Sequence, residues 1–328
     1  VLARFNRLNG KTTMFLTGTD EHGLKIEQAA KKKNMDTKKF VDEMSRYFKK
    51  LSKTLNLSND LFIRTTDIAH KKASQHIWNI LNKNNQIYLD KYKGWYSISD
   101  EAYFNDDEIR VDEKTKKKIA PSGNEVQWVE EESYFFKLSK WQDKLLDYYK
   151  KNPNFIGPET RKNEVISFVK RGLNDLSISR TTFAWGVEVP DDKKHVMYVW
   201  LDALINYLSA IGYPDKKYKK FWPANIHVVG KDIIRFHAVY WPAFLLAADI
   251  EPPKRIFAHG WWTNEGKKIS KSLGNVIDPN EIIKEYGLDT LRFFLLREVP
   301  FGNDGDFSKK SLERRINNDL ANDLGNLV

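Results

Sequence analysis

An α/β fold built around a parallel sheet is the fold class that the sequence predicts. Short apolar strands alternate with amphipathic helices over residues 1–90, and the same alternation resumes near Val165. A strand, a crossover helix and a second strand in succession are typical of parallel sheets. Between the two halves, residues 88–104 and 127–138 are strand-like and rich in aromatic residues, which predicts a small β insertion.

The first half is predicted to contain two strands and three helices. The strands cover residues 11–17 and 61–64, and the helices cover about 24–33, a segment that begins at Asp36 or Thr37, and a segment that begins at Asp67. The last two helices carry apolar residues at helical spacing. Val41, Met44, Phe48 and Leu51 fall on one face of the first, and Ile77, Ile80 and Leu81 of the second are predicted to point inward.

The second half repeats this pattern. Strands are predicted over residues 226–230 and 255–258. A helix over 199–211 carries one wide apolar stripe, made of Trp200, Ala203, Leu204, Tyr207 and Leu208. A helix from about Asp232 has three residues on one face, Ile233, His237 and Trp241. The chain is again helical after Pro279, and residues 308–328 predict one amphipathic helix.

Composition narrows the possible function classes. The chain has 328 residues, with 54 Lys and Arg against 44 Asp and Glu, and therefore a net charge of +10. This excess favours a polyanionic partner, nucleic acid before an anionic membrane surface, although a solvated basic surface without a partner fits the charge equally well. The absence of Cys excludes a disulfide scaffold, a cysteine nucleophile and a thiolate zinc site. The densest apolar stretch, residues 241–250, is too short to span a bilayer.

A lysine-rich loop is the strongest local motif, with the sequence GKKISKS over residues 266–272. A phosphate-binding P-loop is excluded, because Gly260 and Gly266 are one residue too far apart and no Ser or Thr follows Lys267. Lysines and small hydroxyl residues on a glycine hinge can instead close over a triphosphate and neutralise charge on a pyrophosphate leaving group. An exposed basic turn is the alternative that this segment alone leaves open.

A second motif, TGTDEHG at residues 17–23, follows the first predicted strand. Ligands of doubly wound sheets bind at the carboxyl ends of the strands, where the carboxylate of Asp20 suits an ammonium group or a ribose. The alternative role for Asp20 is that of a helix N-cap. The two aromatic helix faces, taken alone, are consistent with a ligand pocket and also with ordinary core packing.

Four motifs in order identify a family. They are TGTDEHG at 17–23, YVWLDALINY at 198–207, VVGKDIIRFHAVYWPAFL at 228–245 and HGWWTNEGKKISKSLGNVIDP at 259–279. Together they closely resemble the methionyl-tRNA synthetases, which are class I aminoacyl-tRNA synthetases. The resemblance covers essentially the whole chain, including WVEEESYFF at 128–136 and NDLANDLGNLV at 318–328.

The resemblance implies a Rossmann-type doubly wound parallel sheet with a small β-rich connective peptide and the start of a C-terminal helical bundle. It divides the chain into five parts: the first part of the Rossmann catalytic domain without its first strand (1–90), the connective-peptide insertion (91–164), the second half of the Rossmann domain (165–254), the KMSKS-loop and stem-contact region (255–307), and the start of a truncated helical anticodon-binding domain (308–328).

The resemblance also implies a role for each site residue. The catalytic residues would be Lys268 and Lys271. ATP would be bound by Gly230, Asp232, Ile269, Ser270 and Lys271, with Asp232 on the ribose. Methionine would be bound by Asp20, Trp200, Ala203, Tyr207, Ile233 and His237. In this scheme Asp20 holds the ammonium group, and Tyr207 and His237 each offer a weak hydrogen bond to the polarizable sulfur.

The implied activity has two steps. The methionine carboxylate attacks the α-phosphorus of ATP, with Mg²⁺ assisting, and methionyl-adenylate and pyrophosphate form. The terminal adenosine of tRNA(Met) then accepts the methionyl group on its 2′-hydroxyl. A cytoplasmic monomer without a membrane association is expected. No zinc is expected, because the chain resembles the zinc-free bacterial and mitochondrial-like subgroup and has no Cys.

The sequence departs from the family in three places. The His-Ile-Gly-His signature is absent upstream of Asp20, and the chain ends inside the first helix of the expected anticodon-binding domain. These two departures predict that the chain is an internal segment of a longer protein. The longer protein is expected to be an active ligase, whereas the segment alone is expected to be inactive. Ile269 replaces the Met of KMSKS, at a position that meets ATP mainly through its backbone. The alternative function is an inactive synthetase-derived module that binds tRNA or assists assembly.

Overall fold

The computed structural model describes residues 1–113, 115–269 and 274–328, with only the backbone described at Lys268. The helices are α1 (Leu2–Leu8), α2 (Leu24–Lys32), α3 (Thr37–Thr54), α4 (Ile68–Lys83), α5 (Gln142–Lys151), α6 (Glu159–Lys170), α7 (Val199–Leu204), α8 (Asn206–Ser209), α9 (Trp241–Ala247), α10 (Pro279–Tyr286), α11 (Leu288–Arg297), α12 (Lys309–Arg315) and α13 (Gly325–Leu327). Short 3₁₀ segments cover Asp106–Glu108, Leu138–Trp141, Lys216–Lys220 and Lys231–Ile233, and π-helical segments cover Phe236–Tyr240 and Ile316–Leu324.

The strands are β1 (Leu16–Thr19), β2 (Leu61–Arg64), β3 (Ile87–Ser97), β4 (Ala102–Phe104), β5 (Arg110–Val111), β6 (Lys118–Ile119), β7 (Gln127–Phe136), β8 (Ile156–Gly157), β9 (Leu176–Ser177), β10 (Ser179–Arg180), β11 (Glu188–Val189), β12 (Asp192–Met197), β13 (His227–Gly230), β14 (Ile256–His259), β15 (Trp262–Asn264), β16 (Lys267–Lys268) and β17 (Gly305–Phe307).

Parallel strands form the part of the fold that positions the site. β1 pairs with β2 from Leu16↔Leu61 onward, and β13 pairs in parallel with β14, which pairs in parallel with β8. Helices follow β1, β2 and β13 directly in the chain, so the strand-and-helix alternation predicted from the sequence is confirmed. The carboxyl ends of β1 and β13 deliver Asp20 and Gly230, respectively.

The predicted β insertion is confirmed as an antiparallel sheet with strand order β4-β3-β7-β9. The pairing of β3 with β7 runs from Ile87↔Phe136 to Tyr96↔Gln127. β3 begins before residue 91, so it crosses the first boundary of the division given above; that division stays a prediction. The ring of Phe136 lies edge-on to Phe244 of α9, with centroids 4.8 Å apart, which joins the insertion to the main core.

A buried arginine holds the insertion against the α/β part. Arg180 is 2% exposed, and its guanidinium lies 4.2 Å from the ring centroid of Tyr103 in β4 and 5.2 Å from that of Tyr198, just before α7. A guanidinium on aromatic faces is attracted electrostatically while its planar edge donates hydrogen bonds, here to the carbonyl of Ser179 at 2.6 Å. The insertion therefore reaches the helix that carries Trp200.

Most predicted elements are confirmed, among them α2, α3 with the Asp36 side chain as its N-cap, and β2 with the predicted bounds. One prediction about the first half is wrong, the start of its first strand. β1 begins at Leu16, not at residue 11, because its pairing with the second strand starts only where Phe15 meets Asp60. Phe48 is 43% exposed, because α3 packs on α2 through its first half alone.

The predicted helix over 199–211 is interrupted at Ile205, between α7 and α8. The side chain of Asn206 donates to the carbonyl of Ala203 at 2.5 Å, so it competes for an oxygen that the helix would otherwise use. The interruption leaves Trp200 on α7 and Tyr207 on α8.

The predicted helix from Asp232 contains a π-helical turn over Phe236–Tyr240. Pro242 has no N–H to donate to the carbonyl of Ala238, and the hydroxyl of Tyr149 donates to that carbonyl instead, at 2.6 Å. A local sequence pattern assumes 3.6 residues per turn, so it could not predict this widening, which changes the direction of His237.

The C-terminal residues are helical as predicted, from the Ser308 N-cap through α12, a π segment and α13. Within the part of the chain that the structure describes, no helix combines the length and the apolar character needed to cross a membrane.

Candidate active site

Asp20 lies at the carboxyl end of β1. The residue is exposed to solvent, although many protein atoms lie around its carboxyl group. Burial, with the nearby carboxylates of Glu101 and Asp202, raises the pKa of Asp20 well above its ordinary value. A cation that binds next to a carboxyl group in this setting stabilises its charged form. The position and the electrostatics of Asp20 both suit a ligand ammonium group.

The two residues after Asp20 are held by buried partners. Glu21 is 3% exposed and accepts two hydrogen bonds from Arg64, at 2.7 and 2.9 Å, and one from the hydroxyl of Thr66. His22 is 2% exposed, and its Nδ1 lies 2.6 Å from Oδ2 of Asp202 in α7. Breaking these contacts would leave buried polar groups without partners, which is costly. The contacts of Glu21 and His22 therefore fix the position of the backbone next to Asp20.

Asp202 joins three separate segments. Its second oxygen, Oδ1, lies 2.7 Å from Nε2 of His70 in α4, and Nδ1 of His70 lies 2.8 Å from the hydroxyl of Ser209. Burial raises the pKa of Asp202, but His22 and His70 outweigh burial and hold this pKa below its ordinary value. The carboxylate is therefore charged, and it fixes α7 relative to the end of β1. Sequence reasoning missed this group, because its members are far apart in the chain.

Glu101 is a second residue that sequence reasoning missed. It lies in the turn between β3 and β4 with φ +51°, and its carbonyl accepts a hydrogen bond from the Tyr198 hydroxyl at 2.6 Å. Its Oε1 is buried without a hydrogen-bond partner among the described residues. Burial raises the pKa of Glu101 to about 7. A Cβ on Gly23, which has φ +101°, would lie 2.7 Å from this oxygen, so only glycine allows the approach.

The residues predicted to hold the methionine side chain come together around two aromatic contacts. The rings of Trp200 and Phe236 are stacked 3.9 Å apart and nearly parallel, and His237 meets Trp200 edge-on at 6.2 Å. The hydroxyl of Tyr207 lies 2.7 Å from Nε2 of His237. Ala203 is buried on α7, between Trp200 and Tyr207 in the chain.

The hydrogen bonds of His237 fix its protonation. Burial lowers the pKa of His237 to about 4, so the ring is neutral near pH 7. Its Nδ1 lies 3.0 Å from the carbonyl of Ile233, which can only accept, so Nδ1 carries the hydrogen. Nε2 then accepts from Tyr207. The hydroxyl of Tyr207 and the Nδ1–H of His237 thus both donate to protein atoms. In this arrangement neither group is available for the hydrogen bond to sulfur that was expected.

A second buried histidine lies behind Tyr207. The ring centroids of His227 and Tyr207 are 3.9 Å apart, and burial together with His237 lowers the pKa of His227 to about 3. Its Nε2 is buried without a partner among the described residues. The alternation of strand β13 places this side chain in the core, but its contact with Tyr207 was not predictable from the sequence.

The predicted nucleotide residues lie between the end of strand β13 and Ile233 in the chain. Gly230 ends β13, and Asp232 follows in the 3₁₀ turn that leads to Ile233. Oδ1 of Asp232 accepts a hydrogen bond from the indole of Trp261 at 3.0 Å. The structure therefore brings Asp232 close to the predicted methionine residues through Ile233.

The lysine-rich loop is described only in part. Lys268 ends β16, whose backbone pairs with Thr263 in β15, and Ile269 is half-buried. The predicted ATP-binding residues Ser270 and Lys271 lie outside the described residues. The roles in ATP binding and catalysis stay predictions for all four loop residues, Lys268, Ile269, Ser270 and Lys271.

A metal ion in a protein without Cys would need His, Asp or Glu ligands. Across residues 1–113, 115–269 and 274–328, no three His, Asp or Glu side chains are grouped in a way that could hold a metal ion. The expectation that the protein contains no zinc stays a prediction.

Comparison with known proteins places this geometry in a family. The family model described as tRNA synthetases class I (M) matches residues 1–328. The methionine–tRNA ligase of Rickettsia bellii is 60% identical over 330 residues, which cover 100% of this chain and 64% of that relative. The chain therefore spans a little under two thirds of the length of this relative.

Two solved structures of methionyl-tRNA synthetase from Mycobacterium tuberculosis are also similar. The complex with methionyl-adenylate matches with a TM-score of 0.97 and 53% identity, covering 99% of this chain and 64% of that one. The apo form matches with a TM-score of 0.81 and 44% identity, covering 96% and 67%. The Rossmann-type α/β fold class is confirmed by these similarities, and the chain belongs to the class I tRNA synthetases of the (M) family.

Proposed function

We propose that the protein activates L-methionine with ATP and transfers the methionyl group to tRNA(Met). The observation that carries this proposal is the set of contacts along one edge of the sheet. Asp20 is fixed through His22 and Asp202 to the helix of Trp200, and the pocket of His237 continues through Ile233 to Asp232. A site for an amino acid and a site for a nucleotide thus share one edge, as adenylate formation requires.

The methionine side of the site has two parts. Asp20 binds the ammonium group, and the new ion pair restores the charged state that burial disfavours in the free protein. The side chain lies among Trp200, Tyr207 and His237, where a polarizable thioether makes favourable contacts with aromatic rings. The Tyr207–His237 hydrogen bond fixes the shape of this pocket. The similarity of this chain to a methionyl-tRNA synthetase solved with methionyl-adenylate, with a TM-score of 0.97, supports the proposal that this site takes methionine.

The nucleotide side supplies orientation and positive charge. Asp232 accepts a hydrogen bond from the ribose, next to the backbone of Gly230. The methionine carboxylate attacks the α-phosphorus in line, an oxygen–phosphorus bond forms, and the bond to the β-phosphate oxygen breaks with release of pyrophosphate. Lys268 and Lys271 neutralise the charge that develops on the leaving group, and Ile269 and Ser270 hold the triphosphate.

Mg²⁺ is expected to be held mainly by the phosphate oxygens of ATP and by water, as it often is in phosphoryl-transfer sites. In the second step the 2′-hydroxyl of the terminal adenosine of tRNA(Met) attacks the methionyl carbonyl carbon, an ester bond forms, and the bond to the phosphate oxygen breaks with release of AMP. The net charge of +10 supports a polyanionic partner. A monomer in the cytoplasm is the form that we propose, consistent with a chain without Cys.

Methionine-dependent exchange of pyrophosphate into ATP tests this proposal in the full-length protein. We expect exchange with methionine and at least about a hundredfold less with leucine, because the pocket favours a thioether. Asp20→Asn should abolish most of the exchange, whereas Asp90→Asn, an exposed residue of β3, should leave it unchanged. Binding of tRNA without any exchange would instead support the inactive tRNA-binding module.

A further inference from the structure

Trp261 has no role in the scheme above, although it belongs to the fourth motif. Its side chain is unusually exposed for a tryptophan, at 45%. Its Nε1–H donates to Oδ1 of Asp232 at 3.0 Å. The other oxygen of Asp232, Oδ2, accepts no hydrogen bond from the described residues. Of the two carboxylate oxygens of Asp232, the residue proposed to bind the ribose, Oδ1 is therefore held by Trp261, and Oδ2 is left to accept a hydrogen bond from a ligand.

The backbone of Trp261 is held on both sides. Its N–H donates to Oδ1 of Asp304 at 2.8 Å, and its carbonyl accepts from the N–H of Gly305 at 2.8 Å. A Cβ on Gly260 would lie 2.1 Å from the carbonyl oxygen of Asn303, so the chains approach this closely only because the residue is glycine. The indole is thus directed by a rigid strand junction between β15 and β17.

A lysine packs on the ring of Trp261. Nζ of Lys231 lies 4.4 Å from the indole and forms an ion pair with Oδ2 of Asp304 at 2.6 Å. The hydrogen bond from Lys231 and the one from the Trp261 backbone lower the pKa of Asp304, so its carboxylate stays charged. Lys231 immediately precedes Asp232 in the chain, and the same ion pair therefore ties the turn of Asp232 to Trp261.

Gly230 completes the arrangement. A Cβ at this residue would lie 2.5 Å from Oδ1 of Asp232, which is closer than real Cβ contacts allow. The carboxylate folds back over Gly230 with Oδ1 toward Trp261, and a side chain at residue 230 would force it to shift. The orientation of Asp232 therefore depends on Gly230 below it and on Trp261 beside it.

We propose that Trp261 is a positioning residue for the nucleotide: its indole N–H holds Oδ1 of Asp232, so that Oδ2 accepts the hydrogen bond from a ribose hydroxyl of ATP. This inference rests on the proposed function and extends it to a residue outside the expected contacts. Without the indole N–H, the carboxylate rotates freely and must be ordered each time ATP binds.

The Trp261→Phe variant of the full-length protein tests the inference, because it keeps an aromatic ring and removes the N–H. We expect the KM for ATP in pyrophosphate exchange to rise about tenfold, the usual effect of a hydrogen bond to a charged group. The kcat and the KM for methionine should change by less than about twofold. The increase should disappear with whichever analogue, 2′-deoxy-ATP or 3′-deoxy-ATP, lacks the hydroxyl that Asp232 binds.

Trp128→Phe is a matched control, since Trp128 is 47% exposed on β7 and its Nε1–H donates to Glu130 at 3.2 Å. It should not change any of these constants. Calorimetric titration with ATP and the two deoxy analogues gives the same comparison without catalysis. An equal loss of affinity for all three nucleotides, or no loss, would overturn the role of Trp261 while leaving the proposed function standing. Failure of the unsubstituted protein to bind ATP would overturn both.

Discussion

Nδ1 of His22 lies 2.6 Å from Oδ2 of Asp202, although 180 residues separate the two in the chain. The contact joins the end of β1, where Asp20 stands, to α7, which carries Trp200. His70 holds the other oxygen of the same carboxylate at 2.7 Å. The distance between the proposed ammonium site and the proposed side-chain pocket is therefore set by one buried carboxylate.

We expect Asp202→Asn to lower the free energy of unfolding by about 3 kcal/mol at pH 7, because it removes the charge from a buried pair. Urea denaturation measures this change. The low folded-state pKa of Asp202 means that its stabilisation is present above about pH 4, where the unfolded carboxylate ionises, and is lost as the pH falls below that value. The difference between the two proteins should accordingly shrink in acid.

Asp147→Asn provides the control for this measurement. Asp147 pairs with Lys151 across one exposed turn of α5, and such pairs contribute less than about 1 kcal/mol. A loss of stability as small as that of the control would contradict the role that we assign to Asp202.

Glu101→Gln should stabilise the protein at alkaline pH and leave it unchanged at pH 4. Burial raises the pKa of Glu101 from 4.5 to about 7, so the unfolded chain loses this proton at lower pH than the folded protein. The loss of folding stability caused by Glu101 therefore grows as the pH rises from 4.5 to about 7, and it reaches about 3 kcal/mol above pH 7. Urea denaturation across this pH range, with wild type and variant side by side, measures it.

The exposed Glu130 gives a matched variant, Glu130→Gln, for which no such stabilisation is expected. Parallel stability curves for Glu101→Gln and wild type from pH 4 to pH 8 would show that the carboxylate of Glu101 finds a partner in solution, contrary to the structure.

His237→Ala and Trp200→Ala should each raise the KM for methionine by about ten- to a hundredfold, because each removes a wall of the proposed pocket. The KM for ATP should change much less. Steady-state pyrophosphate exchange separates the two constants. His76→Ala, at an exposed position of α4, should leave both constants unchanged. Unaltered kinetics of the pocket variants would exclude these residues from methionine binding.

Lys271→Ala should slow the formation of methionyl-adenylate by at least about a hundredfold, with little effect on methionine binding, because the resemblance gives this lysine a role on the leaving pyrophosphate. Single-turnover measurements of adenylate formation test it. Lys284→Ala on the exposed side of α10 is the comparison. A variant that changed only the affinity for ATP would show that Lys271 binds the ground state and does not act in the reaction.

Features that depend on neighbouring residues were predictable from the amino-acid sequence. Apolar periodicity predicted β2 and α2, and the Asp36 cap located the start of α3. Residue types in ordered motifs were enough to name the family and to nominate Asp20, Trp200, His237 and Asp232. These signals are local, since a cap, a strand or a motif needs only a few consecutive residues to be recognised.

Contacts between side chains from distant segments were not predictable from the sequence and became visible only in the folded chain. The His22–Asp202 pair, the approach of Glu101 to Gly23 and the Trp261–Asp232 hydrogen bond all join residues that are distant in sequence. The carbonyl of Ala238, next to His237, likewise accepts a hydrogen bond from the Tyr149 hydroxyl of another helix, where Pro242 has no N–H to donate. Contacts of this kind form only when whole elements dock, and docking is set by the packing of the entire core, which no local pattern contains.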